Sequence, residues 1–217
     1  MIVNTRPSIL ANKTNELLAR SGIEFMHEPL TKILSISPSN QALEKLQQLD
    51  SYDVIIFTSQ SAAKFGAPYL QKHTSKNLNL LIMAIGLATQ RVLSEHGLVS
   101  EVPSGFNSAG LAELIEQGKH EKCLIFCGGK QPQLSFHTPV TLDTFSCYKV
   151  IDEESIELSN ITGNQKAIFL IYNIQTLEVL VRYSQPTDLD KMNLIVASPR
   201  IQEAAFNHGI KGCVVAE

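Results

Sequence analysis

Strands alternating with helices along 217 residues, a strand–loop–helix corner written twice, and two extended segments that interrupt the alternation predict an α/β protein. The pattern is that of two similar parallel-sheet domains. The corner first occurs at Leu80–Gly97, LLIMAIGLATQRVLSEHG, where an apolar run leads through Gly86 and Thr89 into a helical pattern closed by Gly97. Met192–Gly209, MNLIVASPRIQEAAFNHG, aligns with it without gaps and matches His96-Gly97 with His208-Gly209. DVIIFTSQSAAKF laid on KAIFLIYNIQTLE extends the repeat. Ligands of parallel sheets sit beyond the carboxyl ends of the strands. The loops after Phe57, Ile85, Ile171 and Ala197 are therefore the expected walls of a site, with the two halves facing a shared cleft.

MIVNTRP reads as a short buried strand ended by Pro7, and Asn12 or Thr14 opens a helix through Arg20 that stops near Gly22. EFMHEPLTKILSISP is β-branched and aliphatic but interrupted by Pro29 and bounded by Pro38, which suits an edge strand or a connector between domains. Gln41–Leu49 has helical periodicity. Tyr52–Phe57 is the continuous apolar run of a strand covered on both faces. It ends in Thr58-Ser59-Gln60-Ser61 before a helical pattern through Ala62, Ala63, Phe65 and Tyr69. Such a turn can hold an anion on free backbone N–H groups, or serve only as an N-cap. Lys72–Asn79 reads as a polar turn, and Asn107 or Ser108 caps a helix that Gly118 closes. Cys123–Cys127 is a strand followed by Gly128-Gly129-Lys130, whose spacing fits a tight turn and lacks that of a phosphate-binding loop. Ser146–Ile151 is the second extended segment and can pair with the first. Lys166–Ile171 is a strand, Val179, Leu180 and Tyr183 lie on a helix, and Gly212–Ala216 is a terminal strand.

Composition narrows the function. A hydrophobic content of 44% supplies real cores, while the absence of tryptophan and a net charge of −3 argue against a nucleic-acid partner. Arg6 and Pro7 follow only a few apolar residues, so no secretory leader is expected, and no apolar run approaches the ~20 residues that span a bilayer. Four cysteines inside or beside apolar runs point to reduced thiols and a cytoplasmic protein. Cys123 and Cys127 share a strand face, but no neighbouring ligands complete a metal site. His96 and His208 sit where a cation complements a helix C-terminus.

Taken in order, Val3-Asn4-Thr5-Arg6-Pro7, Asp53–Ser59, Ala84-Ile85-Gly86 with Thr89, Phe106-Asn107-Ser108, Tyr148, and Ala197-Ser198-Pro199 with His208-Gly209 resemble the uroporphyrinogen-III synthase family over nearly the whole chain. The resemblance implies a HemD-like fold, two parallel-sheet α/β domains joined by a two-stranded β-ladder. On this sequence the first domain is expected at 1–27 plus 154–217, the second at 38–146, and the connector strands at 28–37 and 147–153. It implies a monomeric lyase without cofactor or metal. That enzyme closes the linear tetrapyrrole hydroxymethylbilane to uroporphyrinogen III, in heme biosynthesis, with loss of water and inversion of ring D through a spiro intermediate. A two-strand hinge also suggests domain motion on binding.

Tyr148 matches the family's active-site tyrosine and would hydrogen-bond the departing hydroxyl, or else pack against a domain edge. The substrate's carboxylates need local donors in an acidic chain, and Ser59, Ser61, Gly86, Thr89, Asn107, Ser108 and Ser198 are the expected ones. Arg6 either contacts a carboxylate or ties down the first loop. Departures from the family pattern lie at Tyr172-Asn173-Ile174-Gln175, at Gly128–Thr138, which lacks the usual arginine, and at Arg200-Ile201, where Arg200 could take over carboxylate binding. A non-catalytic module that binds another anionic ligand is the competing expectation.

Overall fold

Short apolar runs bounded by polar turns form two five-stranded sheets in the computed structural model, which describes residues 1–74, 80–129, 134–154, 156 and 167–216. In chain order the strands are β1 (Ile2–Asn4), β2 (Phe25–His27), β3 (Thr31–Ser35), β4 (Val54–Phe57), β5 (Leu81–Ala84), β6 (Lys122–Gly128), β7 (Thr141–Asp152), β8 (Ile168–Ile171), β9 (Asn193–Val196) and β10 (Gly212–Val215). The helices are α1 (Ser8–Arg20), α2 (Asn40–Gln47), α3 (Gln60–His73), α4 (Leu87–Glu95), α5 (Ser108–Gln117), α6 (Ile174–Tyr183) and α7 (Pro199–Asn207). The chain divides into Met1–Ile33 with Ile151–Glu217, and Leu34–Val150. The boundaries thus fall inside β3 and β7.

The first unit holds the sheet β10-β9-β8-β1-β2, parallel throughout. Val3, Phe169, Leu177, Leu180, Leu194 and Ile201 are among the buried residues of its core. The second holds β3-β7-β6-β4-β5, with parallel pairing from β7 to β5. β3 runs antiparallel to β7, as the bonds from Ile36 N–H to the Cys147 carbonyl and from Glu153 N–H to the Leu30 carbonyl require. Every residue of β4 is buried, because helices cover both faces of that strand. Phe57, Phe126 and Phe145 line one face, with ring centroids 4.6 Å and 4.8 Å apart in successive pairs. Such pairs contribute about 0.5–1.5 kcal/mol each beyond their area. Cys123 and Cys127 share the opposite face as small apolar residues, and burial pushes the Cys123 thiol up to about 12.

The repeat holds to the residue in one pair of corners. β5 and β9 begin one residue after Leu80 and Met192, α4 and α7 follow Gly86 and Ser198, and Gly97 and Gly209 both adopt positive φ, 70° and 86°. Leu98 and Ile210 then donate the same helix-closing bond, to Leu93 and Ala205. The second pair of corners is shifted by one from the gapless alignment. Ser59 and Asn173, aligned with Gln60 by the sequence, are the equivalent N-caps, so β4 matches Ile168–Ile171.

Other boundaries also move. α1 starts at Ser8 and not at Asn12 or Thr14, directly after Pro7, which has no N–H to leave unpaired there. The segment from Glu24 to Pro38 is two strands, each at the edge of its sheet, broken around Pro29. β7 begins at Thr141, earlier than the Ser146 expected. Gly118 follows α5 with helical φ and ψ, and the left-handed residue is Lys119, φ 56°. α3 continues to His73; Ser75–Asn79, Lys130 and Lys166 lie outside the described residues.

Candidate functional site

Parallel pairing brings the ends of β4, β5, β6 and the middle of β7 to one edge of the second sheet. Ser59, Gly86, Gly128 and Tyr148 gather there. Ser59 is the N-cap of α3: its Oγ accepts the Ala62 N–H at 3.0 Å and lies 3.0 Å from the Tyr148 hydroxyl. Of the two readings of this turn the structure shows the cap, and the same hydroxyl touches Tyr148. Tyr148 also stacks on Phe65, with centroids 6.4 Å apart, and rests over Gly128. Burial pushes its phenol above the ordinary tyrosine value, and the Ser59 bond pulls it part of the way back.

Gly86 precedes α4 in extended conformation, and a Cβ there would meet Phe106 at an ordinary 3.5 Å, so space does not demand glycine. Its lack of a capping side chain leaves the first N–H groups of α4 without a side-chain partner. Asn107 caps α5 by accepting the Gly110 N–H at 2.9 Å, and Ser108 is the first helical residue. Ser61 and Thr89 are 4% and 3% exposed, so a ligand meets the helix ends around them before it meets their hydroxyls. A cavity of about 350 Å³ lies on the β3 flank of β7, lined in part by Ser39, Lys45, Thr144 and Ser146. None of the expected binding residues lines it, and Lys45 is already paired with Asp143 at 3.2 Å.

The first unit has its own strand-end cluster. Arg6 follows β1 and its guanidinium lies 4.7 Å from the centre of the Tyr172 ring, which follows β8. Buried Asn4 fixes this pair: its Oδ1 accepts from Tyr172 at 3.1 Å and from the Arg6 N–H at 3.2 Å. Its amide donates to Asn15 at 2.6 Å, and the Arg6 carbonyl lies 2.9 Å from His27 Nε2. Burial raises the Tyr172 phenol, against a bond from Thr14 and the charge of Arg6. No carboxylate pairs with Arg6 among the described residues. Ser198 caps α7 without a side-chain bond, and Arg200, exposed in its first turn, forms no ion pair among the described residues. His208 contacts Glu178 at 3.1 Å. Asn4, Tyr172 and Gly128 touch these clusters and are not among the binding residues expected from the sequence. In the sequence Tyr172 stands out only as a departure from the family pattern, and Gly128 only as part of a turn.

Two parallel α/β units with hydroxyls, an arginine and helix N-termini at their strand ends define a class of protein suited to anionic organic ligands. The family model described as uroporphyrinogen-III synthase HemD matches residues 12–217, and the chain belongs to this family of lyases. A protein of Methanothermobacter thermautotrophicus, provisionally named a uroporphyrinogen-III synthase, is 30% identical over 113 residues. That alignment spans 51% of this chain and 44% of the relative, so the chain is matched to less than half of that relative's length. Among solved structures, a mutant uroporphyrinogen III synthase from Thermus thermophilus is similar at a TM-score of 0.64 and 15% identity, covering 100% of this chain and 92% of that one. The uroporphyrinogen-III synthetase of Helicobacter pylori is similar at 0.61 and 13%, with coverage of 100% and 92%. These two likenesses establish the fold. No helix among the described residues is long and apolar enough to cross a membrane.

Proposed function

We propose that this chain is a uroporphyrinogen-III synthase, closing hydroxymethylbilane to uroporphyrinogen III with loss of water and inversion of ring D. The observation that carries the reading is the Ser59–Tyr148 pair at the strand ends, 3.0 Å apart. Ser59 Oγ accepts from the Ala62 N–H, so its own proton is free to go to the Tyr148 oxygen. The phenol proton is then free to point outward. Burial keeps that phenol neutral, and a neutral phenol can donate to the terminal hydroxyl of the substrate as it leaves as water. The substituted carbon of ring D attacks the cation left behind, forming the spiro intermediate, which reopens to place ring D inverted. The remaining task is to hold the chain folded so that this carbon is within reach.

Binding must be local in a chain of net charge −3. The open N-terminus of α4, the turn at Asn107 and Ser108, Arg6 on its Tyr172 support, and Ser198 with Arg200 are donors for the acetate and propionate groups. Four buried free thiols suit the cytoplasm, where we place the protein as a monomer. The test is the rate at which hydroxymethylbilane disappears: purified protein is expected to accelerate it well above the buffer rate, and equal rates overturn the proposal.

A further inference from the structure

Neighbouring residues of a strand point to opposite faces, yet Cys147 and Tyr148 both pack toward α3. Cys147 Sγ lies 3.7 Å from the Ala62 carbonyl, and the Tyr148 ring stacks on Phe65 at 6.4 Å. The cause is a bulge. Cys127 pairs with Ser146 and Gly128 with Tyr148, which leaves Cys147 as one extra residue on β7. The bulge turns Tyr148 onto the face where Ser59 stands, and the phenol then lies across the last residue of β6. A Cβ on Gly128 would stand 2.9 Å from Tyr148 Cζ, 3.0 Å from Cε2 and 3.2 Å from Oη. A side chain at 128 and the ring in this position exclude one another.

We propose that Gly128 and the β7 bulge form the seat of Tyr148, which makes Gly128 a positioning residue for ring closure; the inference rests on the role given to Tyr148 above. Its φ lies outside the left-handed region, so alanine is compatible with the backbone, and the atoms that must yield are the tip of one side chain. Gly129 supplies the control, because a Cβ there meets nothing within 4 Å among the described residues.

The experiment compares Gly128→Ala, Gly129→Ala, Tyr148→Phe and the double variant Gly128→Ala/Tyr148→Phe in the full chain. Two quantities are read: kcat with hydroxymethylbilane, and phenolate absorbance during alkaline titration. Gly128→Ala is expected to lower kcat about tenfold, as small misplacements of a reacting group do, while Gly129→Ala matches wild type. The double variant is expected to be no slower than Tyr148→Phe alone, because both changes remove one interaction. The Tyr148 titration, taken as the difference between curves with and without that residue, is expected to move toward the ordinary tyrosine value in Gly128→Ala as the ring leaves its buried seat. An unchanged titration overturns the seat, and additive losses in the double variant overturn its role in turnover. Wild-type turnover by Tyr148→Phe would instead remove Tyr148 from the reaction, with the titration still deciding whether Gly128 holds the ring.

Discussion

Tyr148 was readable from the chain only through family likeness, since a tyrosine in an extended segment has no signature of its own. Its neighbours explain what it can do. Ser59 shares a hydrogen bond with the phenol, and burial keeps the phenol protonated. Tyr148→Phe is therefore expected to lower kcat by about a hundredfold or more, the range of general-acid effects, with an unchanged circular-dichroism melt as the check on folding. The pH profile carries the sign of the shift. The folded pKa is raised above the ordinary value of about 10, so the donor is intact below that value and is lost only as pH climbs through the higher one. An alkaline limb well below that value, absent from Tyr148→Phe, would contradict the upward shift. The sequence leaves Arg6 open to ligand contact or a loop tie, and the structure gives it a ring to stack on and no acidic partner among the described residues. Arg6→Ala is expected to raise KM about tenfold, or ~1.4 kcal/mol, with kcat nearly kept. The Tyr172 contact is not legible in the sequence, because it joins the loops after two strands far apart in the chain.

Corners were legible where the sequence marks both ends of a helix. Gly86 and Gly97 bracket α4 as Ser198 and Gly209 bracket α7, and every boundary of that pair agrees. DVIIF and KAIFLI have no such brackets, so apolar periodicity alone leaves their alignment one residue out of step, although both runs end where the strands do; the caps Ser59 and Asn173 are the true registers. The β7 bulge was invisible for a different reason. It follows from how β7 meets β6 and α3, and no residue type in Phe145-Ser146-Cys147-Tyr148 announces it. The packing of α3 is equally tertiary. A Cβ on Gly66 would collide with Phe126 Cδ1, inside the aromatic stack of the core. Gly66→Ala is expected to destabilise the fold by about 1–3 kcal/mol through overpacking. Urea unfolding followed by circular dichroism measures this, and a midpoint equal to wild type would show that the stack can move aside.

Over the whole chain, alternation of strands and helices was enough to give the α/β class and parallel sheets, because burial on both faces leaves uninterrupted apolar runs such as Val54–Phe57. Charge told what the binding could not be. A net charge of −3 supplies no basic field for a polycarboxylate, so the donors proposed above are local ones at the strand ends. The central claim is that these donors and the Tyr148 hydroxyl direct ring closure with inversion of ring D. It is tested most directly by supplying hydroxymethylbilane and separating the cyclic products by isomer. The account expects uroporphyrinogen III to dominate with wild-type protein and to give way toward the type I isomer as Tyr148→Phe slows the catalysed route. Type I at its uncatalysed proportion with wild-type protein would contradict it.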